Sequence, residues 1–256
     1  MTLRLRALAR PLTSPLVALA LFVAPSAARG QIVLSSPSGS LSLPRFTLGG
    51  AGVYAQPLGD FAQNVSQGWG IDGAGTYGID SQSILSLRAE LGYVQYASKS
   101  EPFSLSTGVG FFDLESETKS GVLTLGVGPQ LSLPIGSAVR PYVAGTIGFA
   151  RFATSTSINI PADRSNTGQK EELDSQDVAS DWVLSLGASA GIGFEVAALG
   201  RGVLVDLGAR YHRNGQATYV SSKGVTYNGT GRPTVVATES QADFIAYRVG
   251  ITIPIR

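Results

Sequence analysis

The chain has 256 residues and a formal net charge of +1, so it lacks the excess of positive charge that binding to nucleic acid requires. Charged residues make up 14% of the chain, against roughly 25% in ordinary soluble domains, and glycine occurs 32 times. Cysteine is absent, which excludes disulfides, thiolate catalysis, thiolate metal sites and lipidation through an N-terminal cysteine.

The first 30 residues have the three-part form of a secretory signal peptide. Arginine occupies positions 4, 6 and 10, an apolar run (LVALALFVA) covers 16–24, and the small residues of PSAARG follow. A helix needs about 20 apolar residues to span a bilayer, so this run is too short to be a membrane anchor. We predict a signal peptide at 1–30 and a Ser/Pro-rich leader at 31–44.

Strand-like segments then follow one another to the end of the chain. The stretch 122–134, VLTLGVGPQLSLP, shows the pattern: leucine and valine alternate with threonine, glycine, glutamine and serine. A period of two is typical of a β-strand with unlike faces. Eight such strands are predicted, at 45–56, 68–79, 83–97, 119–134, 138–154, 181–197, 202–215 and 241–255.

The connections between these strands alternate in length. DSQ, IGS and ALGR are short, whereas 57–67, 98–118, 155–180 and 216–240 are long. In an up-and-down meander, alternate connections lie at opposite ends, so every short turn falls at one end and every long loop at the other. Bacterial outer-membrane barrels show this asymmetry.

One face of each predicted strand is apolar, and the other combines glycine and serine with isolated charges. In 83–97, for example, Leu85 and Leu87 share a face, while Arg88 and Glu90 share the opposite face. The charges expected inside the barrel are Asp72, Arg88, Glu90, Arg140, Glu195, Asp206, Arg210 and Arg248. Because buried ions need partners, we predict a charge-balanced network that fills the lumen. The alternative is a narrow ion path that opens when the pairs rearrange.

Aromatic residues on the apolar faces lie near the strand ends. Six are near the long loops and two near the short turns; the set is Trp69, Tyr77, Tyr93, Phe149, Trp182, Phe194, Tyr211 and Tyr247. Aromatic girdles occupy the two interfaces of a membrane barrel, so the apolar faces are predicted to meet lipid. The fold class that follows is all-β: an eight-stranded antiparallel up-and-down transmembrane β-barrel, forming one domain at 45–256.

The pattern resembles the OmpX/OmpA-like family of small outer-membrane barrels. The final strand, RVGITIPI, resembles the C-terminal signal that the barrel-assembly machinery recognises, with Arg248, Gly250, Ile253 and Ile255 in the positions that carry it. It departs from the usual form, which ends on an aromatic residue. The peptidoglycan-binding domain of OmpA-type proteins is not expected, because the chain stops at the eighth strand.

The sequence gives little sign of chemistry. His212 is the single histidine, and YHRN lacks the serine two residues further on where small-barrel deacylases place their nucleophile. With one histidine, no cysteine and no calcium-loop spacing, the sequence predicts no metal site. We expect no catalytic residues and no cofactor.

The function favoured by the sequence is that of a non-enzymatic integral protein of the cell outer membrane, which stabilises the membrane or interacts at the surface through its long loops. The expected partners are outer-membrane lipid and lipopolysaccharide, the barrel-assembly machinery, and an external ligand on loops 155–180 and 216–240, with no role for nucleic acid. The alternatives are a narrow pore for small solutes, a lipid-modifying enzyme and a soluble periplasmic barrel.

Overall fold

A computed structural model describes residues 44–107, 110–133, 135, 138–160, 171–199, 202–228 and 233–255. In it, eight antiparallel strands pair into a closed barrel. The wall strands, numbered in chain order, are β1 (Phe46–Pro57), β2 (Gly68–Gly78), β3 (Leu85–Thr107), β4 (Gly110–Ser132), β5 (Val139–Ile160), β6 (Glu171–Glu195), β7 (Leu204–Asn214) and β12 (Phe244–Ile255). The predicted signal peptide and nearly all of the leader lie outside the described residues and stay predictions.

Closure comes from pairing of the first and last wall strands. β1 and β12 pair in one unbroken register, from Phe46 opposite Ile255 to Pro57 opposite Phe244. Closure leaves no free strand edge at membrane depth, where lipid offers no hydrogen-bond partners. The predicted fold class, an eight-stranded antiparallel up-and-down transmembrane barrel, is confirmed.

A belt of exposed apolar side chains surrounds the half of the barrel that carries the short turns. On β3 the outward residues Leu85, Leu87, Leu91 and Tyr93 are all exposed, and β5 and β12 repeat the pattern. The β3 part of this belt covers nine residues, which matches the roughly 9–11 that a tilted strand needs to cross a bilayer. The Leu face of 122–134 therefore points into lipid.

The four central strands continue well beyond this belt. β3, β4, β5 and β6 are 22 to 25 residues long, so much of the predicted loops 98–118 and 155–180 is strand rather than loop. Ser100 pairs with Glu117 and Ser157 with Ser175, far above the apolar belt. The strand prediction stopped early because both faces of the sheet are polar here, and the apolar alternation disappears. We call the part of β3–β6 above Gln95, Ser120, Thr154 and Asp181 the extension sheet.

The remaining long connections also contain regular structure. Between β1 and β2 lies a short helix, α1 (Gly59–Asn64). The connection between β7 and β12 contains β8 (Gln216–Tyr219), a 3-10 turn (Ser222–Gly224), β9 (Val225–Tyr227), β10 (Pro233–Val235) and β11 (Thr238–Gln241). β8 pairs with β11, and β9 with β10, so the segment predicted as an open loop at 216–240 is largely folded.

The turn between β2 and β3 is organised by one carboxylate. Asp80 accepts hydrogen bonds from the backbone N–H groups of Leu85, at 2.8 Å, and Gln82, at 3.1 Å. Desolvation acts to raise the pKa of Asp80, but these backbone donors outweigh it and hold the pKa below its ordinary value.

None of the helices in the described part of the chain is long and apolar enough to cross a membrane.

Candidate functional site

The middle of the barrel contains a layer of buried ions, which we call the ionic layer: Asp72, Arg88, Glu90, Asp206, Arg210 and Arg248, together with Tyr142. Arg210 lies at its centre. Its Nη2 is 2.6 Å from Glu90 Oε2, and its Nη1 is 3.6 Å from Asp72 Oδ2. One arginine on β7 therefore bridges carboxylates on β3 and β2 across the lumen.

The other ions of the layer complete its connections. Arg88 donates to Glu90 Oε2 at 2.9 Å and to the side-chain oxygen of Gln130 at 2.8 Å. Arg248 donates to Asp72 Oδ1 at 3.0 Å, and Tyr142 donates its hydroxyl hydrogen to Asp206 at 2.9 Å. Three guanidinium groups thus face three carboxylates, all buried, and the layer has no formal net charge.

The last two predicted interior charges lie nearer the short turns. Arg140 on β5 donates to Glu195 on β6 at 2.9 Å, and both side chains are partly exposed. Glu195 also accepts the backbone N–H of Gly202 at 2.8 Å. All eight residues of the predicted network are therefore found in interior ion pairs or hydrogen bonds, in two separate groups.

Above the ionic layer, the lumen is filled by aromatic rings. Phe61 of α1 makes edge-on contacts with Tyr96, Phe152 and Tyr219, with ring centroids 5.5, 6.0 and 4.8 Å away. Each of these rings is buried. Phe244 and smaller apolar residues surround this aromatic layer; the smaller ones are Val53, Ala55, Val65, Val94, Val122, Ala150, Val183, Ala217, Ala242 and Ala246.

Sequence reasoning missed the aromatic layer. Val94 and Tyr96 share the inward parity of Arg88 and Glu90, so following that face of β3 further would have shown it becoming apolar. Phe61 and Tyr219 had no comparable signal, because they come from the α1 connection and from β8 rather than from the wall. Their burial depends on how the long connections fold back into the barrel.

The inner side of the extension sheet is lined by hydroxyl groups. Thr118 and Thr156 share a hydrogen bond of 2.8 Å, and Ser120 and Thr154 share one of 2.9 Å. The β7–β12 connection covers this side: Tyr227 donates to the carbonyl oxygen of Lys99, and the Lys99 ammonium donates to the carbonyl of Val225 at 2.6 Å. The connection is thereby fastened over the barrel mouth.

The eight residues of the predicted aromatic girdle all project from the outer wall and are exposed: Trp69, Tyr77, Tyr93, Phe149, Trp182, Phe194, Tyr211 and Tyr247. Tyr54 belongs with them, since its ring contacts Trp69 at 4.7 Å and Tyr247 at 6.3 Å. Arg151 stacks over the Trp182 ring at 5.9 Å and marks where polar surface begins above the belt.

The residues of the predicted assembly signal divide between the two faces of β12. Arg248 points inward into the ionic layer, whereas Ile253 and Ile255 point outward into the belt. A side chain at Gly250 would collide with the Gly50 carbonyl oxygen and with Ala51 on the neighbouring strand, so glycine is needed where β12 closes against β1. Recognition by the assembly machinery stays a prediction.

No catalytic arrangement is visible around His212. Its ring is buried in the lumen and stacks on Phe244, with centroids 4.5 Å apart. Within the described residues there is no group of three histidine, aspartate or glutamate side chains that could hold a metal ion. The described side chains of the interior pair ions and pack aromatic rings.

No protein-family model matches the sequence, and no curated protein matches it significantly. Among solved structures, the chain is similar to Neisserial surface protein A, with 13% identity and a TM-score of 0.47, covering 82% of this chain and 97% of that one. It is also similar to Ail, the attachment invasion locus protein of Yersinia pestis, with 12% identity and a TM-score of 0.41 over 82% and 99% of the two chains.

A third similar structure is OprG of Pseudomonas aeruginosa, with 14% identity and a TM-score of 0.36 over 82% of this chain and 95% of that one. These neighbours are small outer-membrane β-barrels, as the OmpX/OmpA-like resemblance predicted. The fold is that of a small outer-membrane barrel. At such low identity the likeness carries no argument about function, and the fold itself rests on the strand pairing and the apolar belt of this chain.

Proposed function

We propose that the protein is a non-enzymatic, non-conducting barrel of the cell outer membrane that presents its extension sheet as an interaction surface. Export by the predicted signal peptide belongs to this proposal, and so do contacts with outer-membrane lipid and lipopolysaccharide. The observation that carries it is the contrast between a lumen filled by two layers and four strands that continue far beyond the apolar belt.

The extension sheet has two edges that pair with no other wall strand. Above Gln95, β3 pairs with β4 alone, and above Ser185, β6 pairs with β5 alone among the described strands. Leu173 and Val178 are exposed on this part of β6. A strand edge without a partner strand can accept a further strand, which supports contact with an external protein. We propose that the external ligand predicted for 155–180 and 216–240 binds at the extension sheet, which contains described parts of 155–180. Its contact with 216–240 stays a prediction.

Trimming the extension sheet tests this proposal. Ser100 and Glu117 are register partners, as are Ser157 and Ser175. Replacing 101–116 and 158–174 each by an Asn-Gly turn keeps the pairing below the cuts. Liposomes that carry the full barrel are expected to adhere to at least one of two immobilised proteins, collagen and fibronectin, and the trimmed barrel is expected to lose that adhesion.

Heat-dependent gel mobility of both proteins controls for folding. Equal adhesion of the full and trimmed barrels on both surfaces would contradict an interaction role for the sheet.

The filled lumen argues against the pore alternative. Charged side chains pair across the lumen in the ionic layer, and the aromatic layer lies above them, which supports a barrel that does not conduct. In planar bilayers, the folded barrel is expected to show no conductance above the background of protein-free membranes. Reproducible single-channel steps would instead make transport the leading function.

A further inference from the structure

The outer wall contains a groove within the apolar belt, on the β1 side of the barrel. At mid-height on β1 and β2 the outward positions are glycines, whereas β4 and β12 carry Leu, Val and Ile there; the glycines are Gly50, Gly52, Gly73 and Gly75. Gly50 lies opposite Gly73 in the β1–β2 register. Two adjoining depressions of about 510 and 630 Å³ lie here, and Gly52 and Val249 line both.

The backbone does not require glycine at these positions. A Cβ atom added at Gly50 would come no closer than 3.9 Å to the Asp72 carbonyl oxygen, and one at Gly52 no closer than 4.0 Å to that of Val249. Both are ordinary contacts, in contrast to the collision at Gly250. Glycine weakens a strand interior and often marks a place where a ligand approaches the backbone closely. The groove is therefore not a steric consequence of barrel closure.

Aromatic rings border the upper end of the groove. Tyr54, Trp69 and Tyr247 line the upper depression, and the lower one extends down to Gly50 and its register partner Ile251. From Tyr54 to Gly50, β1 rises about 14 Å at roughly 3.4 Å per residue. This length is close to half of the roughly 30 Å hydrocarbon core of a bilayer. The groove thus covers the depth of one leaflet, on the side of the long loops.

The groove faces hydrocarbon, because it is continuous with the lipid-facing belt. No water is present at this depth to fill it, and none of the described side chains does so. Atoms that line an unfilled groove lose dispersion contacts. An extended acyl chain is apolar throughout and has the length of one leaflet, so it matches the groove in chemistry, depth and direction.

We infer that this groove binds one acyl chain of an outer-leaflet lipid in preference to the rest of the belt. The chain lies against the backbone of Gly50 and Gly52, and the rings of Tyr54, Trp69 and Tyr247 border it at the interface with the headgroups, where aromatic side chains are favoured. The inference rests on the part of the proposed function that places the barrel in the outer membrane, and it adds where on the wall a lipid is held.

The two tryptophans of the chain provide the test. Trp69 lines the groove, whereas Trp182 lies on β6 outside it, and their exposed fractions are similar, at 63% and 58%. Trp182→Phe leaves Trp69 as the single reporter, and Trp69→Phe leaves Trp182. Each folded full-length variant is titrated in detergent micelles with a phosphatidylcholine whose acyl chains are brominated, because bromine quenches tryptophan fluorescence on contact. Heat-dependent gel mobility controls for folding.

Trp69 is expected to be half-quenched at a mole fraction of brominated lipid about threefold lower than Trp182, a ratio that roughly five additional carbon–carbon contacts would produce. Gly50→Leu in the Trp182→Phe background fills the lower depression, which Trp69 does not line. This variant is expected to shift the quenching curve of Trp69 to that of Trp182.

Gly145→Leu in the same background is the matched control. Gly145 is an exposed, outward glycine on β5 outside the groove. A Cβ atom there would come no closer than 4.0 Å to the Gly187 carbonyl oxygen, as at Gly52. The Trp69 curve should stay unchanged in this variant.

Four results would overturn the inference. Coinciding curves for Trp69 and Trp182 would mean that the groove binds lipid no better than the rest of the belt, with the membrane location left intact. Weaker quenching of Trp69 than of Trp182 would mean that another surface, such as a second copy of this chain, covers the groove. An unchanged Trp69 curve in Gly50→Leu would place the preferred lipid elsewhere. Quenching of neither tryptophan would contradict the proposed membrane location as well.

Discussion

The two layers that fill this lumen differ in how they are built. The ionic layer consists of wall residues, with Arg210 joining β7 to β2 and β3 across the barrel. The aromatic layer joins the wall to the long connections, since Phe61 comes from α1 and Tyr219 from β8. Loss of the ionic layer should therefore destabilise the barrel wall. Loss of the aromatic layer should free the long connections while the wall stays folded.

The energetics of the layers differ as well. Burying ions carries a large desolvation penalty, and well-packed apolar replacements of buried ion pairs are often neutral or stabilising. The ionic layer instead makes the stability of the barrel sensitive to the loss of a single ion, because removing one partner leaves the remaining buried charges uncompensated. The aromatic layer has no such penalty, and its stabilisation scales with buried area.

The largest effect is expected for Arg210→Ala. In this variant, Glu90 would still be paired with Arg88, and Asp72 with Arg248. The layer as a whole would nevertheless contain three buried carboxylates and only two guanidinium groups. Breaking a buried pair in this way costs about 3–5 kcal/mol. Urea unfolding of the barrel in lipid vesicles measures this change in the free energy of unfolding.

Arg213→Ala on the same strand is the control for that measurement, because Arg213 is exposed. If Arg210→Ala and Arg213→Ala unfold at the same urea concentration, the ionic layer does not stabilise the wall.

A smaller and more local effect is expected for Phe61→Ala. Truncating a buried phenylalanine costs about 3 kcal/mol or more, and here the cost should appear as opening of α1 rather than as unfolding of the wall. The N–H of Val65 donates to the Phe61 carbonyl at 2.9 Å. Its hydrogen exchange is expected to accelerate about 100-fold, while exchange in β7 and β12 stays unchanged.

Gln63→Ala, at an exposed position of the same helix, should leave the exchange of Val65 as it is. Acceleration in β7 and β12 together with Val65 would mean that the two layers stabilise the barrel as one unit.

The smallest effect on stability is expected at Asp80, which is a solvated ion, unlike the buried ions of the ionic layer. Asp80, at the turn below the ionic layer, has a pKa below its ordinary value in the folded protein, because backbone donors outweigh desolvation. Its contribution to stability is therefore fully present above the unfolded pKa, about 3.9, and is lost as pH falls through the lower folded pKa. An NMR titration of the Asp80 carboxyl carbon measures this pKa directly.

The backbone N–H groups of Gln82 and Leu85 donate to Asp80, so their NMR signals should shift as this carboxylate is protonated. In Asp80→Asn, these two signals should no longer shift over the same pH range. A folded pKa of Asp80 at or above its ordinary value would show that the turn does not depend on the charge.

Much of the wall could be read from the sequence because period-two alternation is a local signal. It placed all eight wall strands, the outward face of 122–134 and the inward parity of Arg88 and Glu90. The alternation did not predict the upper parts of β3–β6, because both faces of a strand in water are polar and the alternation is lost there. The pairing of Ser100 with Glu117 is a property of the hairpin, with no signal in the letters of either strand alone.

By itself, then, the sequence determined the barrel, its lipid-facing side and the identity of the ions inside it, because each depends on neighbours two residues apart. Only the tertiary structure decided which ions pair and that Phe61 of α1 packs on Tyr219 of β8 in the aromatic layer. Those features join residues from strands distant in the chain, and barrel closure with its particular register is what brings them together.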